Sequence, residues 1–231
     1  MVKKHMKRQT VPKTWPIQRK GSKFITRPVP GKSFTLSIPI NVIFKNILKY
    51  CKTTKEVKNI LNDKEILIDA KRVLDPRALV GFGDVLSVPI SNKFFRLTMS
   101  NKGRLNLTEI DKKEANQKPC KIIGKKVLKK GIVQLNLNDS RNILVKKDDY
   151  KKGDSIILEL PSQKIIEHLS LSPKHVIMLT GGKHTGKTGV VENIKGKEIY
   201  FKTISGDTII TNKKFAFVIG KEKPLLKIQN E

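Results

Sequence analysis

Residues 181–188 read Gly181-Gly182-Lys183-His184-Thr185-Gly186-Lys187-Thr188. They satisfy G-x-x-x-x-G-K-[ST], the pattern of a loop whose backbone amides cradle phosphates while the lysine, here Lys187, reaches the β/γ positions. That chemistry needs a helix directly after the loop, because the helix N-terminus is part of the anion site. Gly189-Val190-Val191 follows instead, and two β-branched residues favour a strand. Too little chain remains beyond Thr188 for the parallel sheet of a nucleotide hydrolase, and no apolar run ending in Asp follows to hold magnesium. The segment is therefore predicted to be a tight cationic turn between two strands, with no nucleotide substrate.

No other catalytic constellation is visible. His5, His168, His175 and His184 form no acid–base pair with a carboxylate near them in sequence, and neither G-x-S-x-G nor H-E-x-x-H occurs. Each histidine is expected on the surface or facing a nucleic acid. Cys51 and Cys120 lie far apart, outside any CxxC spacing, so they read as reduced thiols and not as zinc ligands. The expectation is no enzyme, no cofactor and no metal.

What remains is charge. The chain has 48 Lys and Arg against 20 Asp and Glu, a net charge of +28, where solubility alone needs roughly 2 to 8. Such an excess calls for a polyanion, because phosphate neutralisation with counterion release drives most nucleic-acid affinity. The cations are also concentrated: no acid occurs before Glu56, while Lys13, Arg19, Lys20, Lys23, Arg27, Lys32, Lys45, Lys49, Lys52 and Lys55 precede it. Trp15 and Phe24 interrupt this basic stretch, as aromatics that either stack on an unpaired base or cap a neighbouring core. No apolar run approaches the roughly 18 residues of a membrane span, and no apolar segment follows the basic N-terminus as in a signal peptide. Hydrophobic content of 38% implies small cores, with bound RNA ordering segments that cannot fold alone.

The elements that would position these cations follow from local pattern. Pro12, Pro16, Pro28, Pro30 and Gly31 break any helix, so 1–38 reads as an extended basic arm needing an external surface to order it. Over 39–51, Ile40, Ile43, Phe44, Ile47, Leu48 and Cys51 share a helical face. Thr53-x-x-Glu56 is a capping box opening a second short helix, with Val57, Ile60 and Leu61 inward and Lys52, Lys55 and Lys58 outward, ending near Asn62-Asp63. Strands are predicted at 65–68, 72–74 and 83–88. Further strands are predicted at 94–99, 104–107, 121–123, 132–137, 143–145 and 155–160, with one helix at 111–117. Strands at 176–179, 189–191, 198–202, 208–211 and 215–219 suggest a small barrel, followed by a lysine-rich tail from Lys221. The fold class is α+β and multi-domain: basic arm 1–38, RNA-binding module 39–92, central β-rich domain 93–172, and C-terminal barrel and tail 173–231.

These residues resemble a family, the archaeal and eukaryotic small-subunit ribosomal protein four of the eukaryote type. The resemblance runs the whole chain and is carried by Lys13-Thr14-Trp15-Pro16-Ile17, Arg19-Lys20-Gly21, Phe24-Ile25-Thr26-Arg27-Pro28, Pro30-Gly31, Ser37-Ile38-Pro39 and Leu48-Lys49-Tyr50. The segment 52–88 is similar to the αL RNA-binding module that the family shares with bacterial small-subunit protein four. The turn 180–191 resembles a KOW motif, which sits in SH3-like barrels, and Phe217-Val218-Ile219-Gly220 resembles the family's closing strand. Ala70 and Ser140 stand where the family usually has Gly, which puts the type of the Ala70 turn in doubt because Ala tolerates positive φ poorly. The length looks archaeal.

The resemblance implies a structural role on small-subunit ribosomal RNA beside neighbouring ribosomal proteins, on cytoplasmic ribosomes, without a membrane and without homo-oligomerisation. The residues expected on RNA are Lys13, Trp15, Arg19, Lys20, Lys23 and Arg27 in the arm, Lys52, Lys55, Lys58, Lys71 and Arg72 in the module, and Lys183, His184 and Lys187 at the KOW turn. Two rivals are a free KOW-type transcription or translation factor, and an enzyme of the kinds that carry αL modules, for whose catalytic domain the chain has no room.

Overall fold

A computed structural model describes residues 5–63, 65–146, 148–203, 206–221 and 225. Most of the tail expected from Lys221, and Lys3 and Lys4 of the arm, lie outside them. The architecture is mostly β with few helices, so the α+β expectation is corrected: the strands form three antiparallel five-stranded sheets and two short ladders.

The first fifty residues fold onto the body. Strands β1 (Met6–Lys7) and β2 (Phe24–Ile25) pair with each other, and β3 (Ser37–Pro39) precedes a single helical turn, α1 (Ile40–Val42), that widens into a π turn at Ile43–Ile47. The helix expected over 39–51 is thus truncated. Its β-branched residues are poor helix formers, and Lys49 stops it in the left-handed region at φ 56°. Its apolar face is nevertheless the buried one, with Ile40, Ile43, Phe44 and Cys51 all in the core. Helix α2 (Thr54–Asp63) matches the capping-box prediction: the Glu56 amide donates to Thr53 Oγ1 at 3.2 Å while the Glu56 carboxylate accepts from Thr53 Oγ1 at 2.7 Å and the Lys52 amide at 2.8 Å.

The first sheet runs β5 (Lys71–Arg72), β4 (Leu67–Ile68), β7 (Val85–Val88), β8 (Lys93–Met99), β9 (Leu105–Ile110), while β6 (Leu79–Gly81) pairs separately with β3. The boundary expected at 92/93 therefore falls between two paired strands, since Val85–Val88 is laddered to Lys93–Arg96. Residues 93–110 belong to the first sheet. A tight β4–β5 turn places Asp69 at φ 51° and Ala70 at φ 62°, so the left-handed geometry is kept despite the missing glycine, as a two-residue hairpin of the right twist requires. Ser140 likewise holds φ 69°.

After a single turn, α3 (Lys112–Ala115), the second sheet runs β12 (Asn142–Val145), β11 (Val133–Leu137), β10 (Gln117–Val127), β13 (Ser155–Glu159), β14 (Ile165–Leu169). The third runs β18 (Thr208–Asn212), β17 (Glu198–Thr203), β16 (Thr188–Lys195), β15 (Val176–Leu179), β19 (Ala216–Gly220). One core joins the first and third sheets: Phe82 meets Phe217 edge to face at 5.3 Å, among Leu86, Leu97, Ile177 and Phe201. The second sheet closes over its own cluster of Cys120, Ile122, Leu135, Ile156 and Leu158.

That shared core overturns the picture of a free arm. Val11 and Trp15 are buried in it, Met6, Ile17, Ile25 and Leu36 pack against it, and backbone bonds tie Val29 to Arg77, Leu36 to Phe82 and Thr14 to Leu105. The prolines exclude a helix, yet they do not stop an irregular chain from burying apolar side chains against a preformed sheet.

Candidate nucleic-acid interface

Three surfaces gather the exposed cations. The first is the β1–β2 ladder and the loop between its strands, where Arg19, Lys20, Lys23 and Phe24 are exposed. Arg8 folds inward across the loop, donating from its guanidinium to the Gln18 carbonyl at 2.9 Å. The Phe24 ring is packed edge-on by His5 at 5.2 Å and has the Lys23 ammonium 5.6 Å from its centroid, which leaves an aromatic and a cation presented together.

The second lies at the start of α2. The Asn41 side chain donates to the hydroxyls of Thr26 and Thr54, so Arg27 of the arm adjoins the helix whose exposed side carries Lys55 and Lys58, with exposed Lys52 just before it. Val57 and Leu61 face the core. The hydrogen bonds from Thr53 and then Lys52 hold the Glu56 carboxyl below its ordinary value, committing that acid to the helix N-terminus and not to its lysine neighbours. Lys71 is exposed in the β4–β5 hairpin. Arg72, also exposed, sends its guanidinium to the Asn62 carbonyl at 3.0 Å and so closes the C-terminal end of α2.

The third surface contains the turn that imitates a nucleotide-binding loop. It joins β15 to β16, two antiparallel strands, and is closed by its own backbone: the Gly186 amide donates to the Leu179 carbonyl, the Lys187 amide to the His184 carbonyl and the Leu179 amide to the Lys187 carbonyl. A Cβ at Gly186, where φ is 91°, would collide with the Ser100 carbonyl, and one at Gly103 would crowd Thr185. The 180–187 turn and the 100–104 turn are therefore interlocked. Because the Leu105 amide donates to the Thr14 carbonyl at 2.7 Å, the arm joins them too, and exposed Lys13, Lys102, Arg104 and Lys183 stand on adjoining backbone, with His184 and Lys187 half-buried.

Of the residues expected on RNA, Trp15 is a correction. It is 3% exposed, its indole N–H reaches the Phe34 carbonyl, and its ring packs on Phe34 at 5.5 Å. Of the two readings open in sequence, the core-capping one holds. Lys102 and Arg104, not singled out in sequence, stand on the same surface as Lys13 and Lys183, because only tertiary packing brings the Gly103 turn beside the arm. A His–carboxylate pair was missed: His168 Nε2 lies 2.8 Å from Asp154 Oδ2. Asp154 also accepts from the Lys151 and Leu171 amides, and Ser155 Oγ is engaged by the Val218 amide, so the pair organises a turn.

Several cations are interior. Lys118 is wholly buried and lies 2.6 Å from Asp69, 2.6 Å from Asp84 and 2.7 Å from Asp139. Arg141 adds contacts to Asp69 at 2.7 Å and Asp139 at 3.2 Å, and Lys32 pairs with Asp84. Three cations thus face three carboxylates drawn from the arm, the first sheet and the second. Burial would raise Asp84, but Lys118 and Lys32 outweigh it and hold the carboxyl at about 2. Burial and the charge of Asp84 push Asp69 up. Arg96, buried against Glu114, is lowered to about 10 by desolvation.

The comparisons agree with this architecture. The profile of Ribosomal family S4e matches residues 91–165, and that of the RS4NT (NUC023) domain matches 2–31. "Small ribosomal subunit protein eS4" of Methanocella arvoryzae is 36% identical over 230 residues, spanning 96% of this chain and 97% of that protein. The protein of the same name from Methanococcus aeolicus is 34% identical over 240 residues, spanning 98% of each. The crystal structure of the 30S ribosomal protein S4e from Thermoplasma acidophilum superposes with a TM-score of 0.69 at 26% identity, covering 80% of this chain and 96% of that one. With basic arm, three β sheets and near full-length identity above 30%, the chain belongs to the ribosomal family S4e.

Proposed function

We propose that this protein is a structural constituent of the small ribosomal subunit, on cytoplasmic ribosomes, where it binds and stabilises folded small-subunit rRNA without performing a reaction. The observation that carries the reading is near full-length similarity to archaeal eS4 proteins joined to a net charge of +28 whose exposed cations, among the described residues, mostly have no carboxylate partner. Lys13, Arg19, Lys20, Lys23, Arg27, Lys52, Lys55, Lys58, Lys71, Arg72, Lys183, His184 and Lys187 act as phosphate contacts, joined by Lys102 and Arg104. Such contacts position the protein and carry little sequence information, and RNA shape and 2′-hydroxyls supply the rest. In this reading α2 with the β4–β5 hairpin is the αL-type module, and the third sheet is the KOW SH3-like barrel. The partners are rRNA and neighbouring ribosomal proteins, with no nucleotide substrate, no membrane and no self-association. The free-factor reading is not favoured, because relatives named as ribosomal span the whole chain.

Sedimentation of cell extract with quantitative mass spectrometry tests this: one copy per small subunit after a high-salt wash is expected, and recovery only in the soluble fraction refutes it. In vitro, neutralising about 6 to 10 phosphates makes rRNA affinity fall roughly 10³- to 10⁵-fold between 50 and 200 mM salt.

A further inference from the structure

A cleft of about 450 Å³ opens between the second and third sheets, within the roughly 300–1,000 Å³ range of small-ligand sites. Its accessible apolar lining is half-buried Leu36 and exposed Ile123, backed by the core residues Phe82, Phe217 and Ile122, and its rim carries Lys121, Lys152, Lys197, Lys213 and Lys214, while no Asp or Glu lines it. Lys121 is the telling residue. It is 8% exposed, and its ammonium donates to the Lys214 carbonyl at 2.8 Å and to the Ala216 carbonyl. Two of its three N–H bonds are thereby used, and the third is uncommitted. Lys118 and Arg96, the other buried cations deep in the fold, each have carboxylates; Lys121 has none among the described residues. Buried charges are ordinarily paired, so this one lacks an anion.

Two amides complete the cleft. Asn138 Oδ1 accepts from the Lys121 backbone at 2.8 Å and Asn212 Oδ1 from the Lys214 backbone at 3.0 Å. Both oxygens are fixed by the backbone, and neither NH₂ group meets an acceptor among the described residues. An apolar lining, two orientated amide donors and a carboxylate-free cationic rim are complementary to a nucleotide: a flat base, acceptors on its edge, and a phosphate.

We propose that this cleft receives one splayed-out nucleotide of single-stranded RNA, its base against Leu36 and Ile123, its edge read by Asn138 and Asn212, and its phosphate beside Lys121 and Lys213. The proposal rests on the RNA-binding reading above and deepens it from shape recognition to capture of an unpaired residue, the mode by which proteins read single-stranded RNA. Burial, followed by the charge of Lys213, already lowers Lys121 to about 8, which is the expected state of a site awaiting its counter-anion.

The test is fluorescence anisotropy of a fluorescein-labelled tetraadenylate with the full chain. Adenosine monophosphate, inorganic phosphate and hexaglutamate serve as competitors, and filter binding of whole small-subunit rRNA runs in parallel. Wild type binds the tetranucleotide, adenosine monophosphate competes better than phosphate or hexaglutamate, and Lys121→Met weakens the tetranucleotide by about tenfold or more, the loss of one charged hydrogen bond, while whole-rRNA binding persists. The exposed pair Lys197→Gln with Asn212→Ala gives the same selective loss, and carries the test should Lys121→Met lose its thermal transition. Equal tetranucleotide affinity in wild type and variants, or competition by phosphate or hexaglutamate as strong as by the nucleotide, overturns the cleft. Failure of the wild type to bind whole rRNA would instead overturn the parent reading.

Discussion

Replacing Lys118 by Met keeps the side-chain stem and removes only the charge from the centre of the three-carboxylate cluster. Wild type balances Lys118, Arg141 and Lys32 against Asp69, Asp84 and Asp139; the variant leaves three buried acids with two cations. Removing one partner of a buried ion pair costs about 3–5 kcal/mol, mostly as the penalty of the uncompensated charge. For an m-value of about 2 kcal/mol/M, that lowers the urea midpoint by roughly 1.5–2.5 M. Trp15, the single tryptophan, sits in the core shared by the first and third sheets, so its fluorescence follows the transition, with far-UV circular dichroism as a second probe. The pH dependence carries its own sign. Asp84 is depressed in the folded chain, to about 2, so its share of the stability is in force above its unfolded pKa of about 4 and is lost as the pH falls toward 2. Asp69 is raised, by burial first and then by Asp84, and works in the opposite sense. Without Lys118 both carboxyls take up protons at higher pH, so the gap between variant and wild type is widest near neutrality and narrows below about pH 5. A variant within about 0.5 kcal/mol of wild type at pH 7, or a gap that widens on acidification, would refute the reasoning.

Trp15→Ala should destabilise by about 3–5 kcal/mol, as an aromatic lost from a closed core does, and deleting residues 1–38 should abolish the native thermal transition; a deletion that melts like wild type would restore the free-arm picture. Gly186→Ala must shift the Ser100 carbonyl and hold alanine at φ 91°, so its melting temperature should fall, by several degrees for each kcal/mol lost. Replacing Lys102 and Arg104 together by Gln should leave the melting temperature unchanged and reduce the salt slope of rRNA binding by about two, near one per phosphate lost; an unchanged slope removes this turn from the interface.

Which parts were legible in sequence follows from how local each signal is. The α2 capping box is read within four residues, and Thr53 and Glu56 form it as predicted. The strand after Thr188 was readable from two β-branched residues, and with the short stretch beyond it and the missing Asp-ended apolar run it set aside the nucleotide-binding reading of the loop. The helix over 39–51 kept its buried face but not its length, because periodicity reports which side chains face inward and not whether β-branched backbone sustains regular hydrogen bonding. The boundary at 92/93 misjudged a hairpin: Asn92, in the left-handed region at φ 50°, turns the chain so that two neighbouring strands pair, where the sequence reads as a break.

By itself, the sequence determined the class of partner, the positions of most turns and strands, and membership of a family, because net charge is a sum over residues and turn chemistry acts over three or four of them. Only the tertiary structure decided which cations are available. Lys118, Lys121 and Lys13 are the same residue type, yet one is neutralised by acids from distant segments, one is buried without any, and one is exposed. Trp15 turned inward for the same reason. Burial depends on what distant strands bring to a side chain, and the dielectric that sets the cost and the use of a charge is a property of that assembled environment, which no stretch of sequence contains.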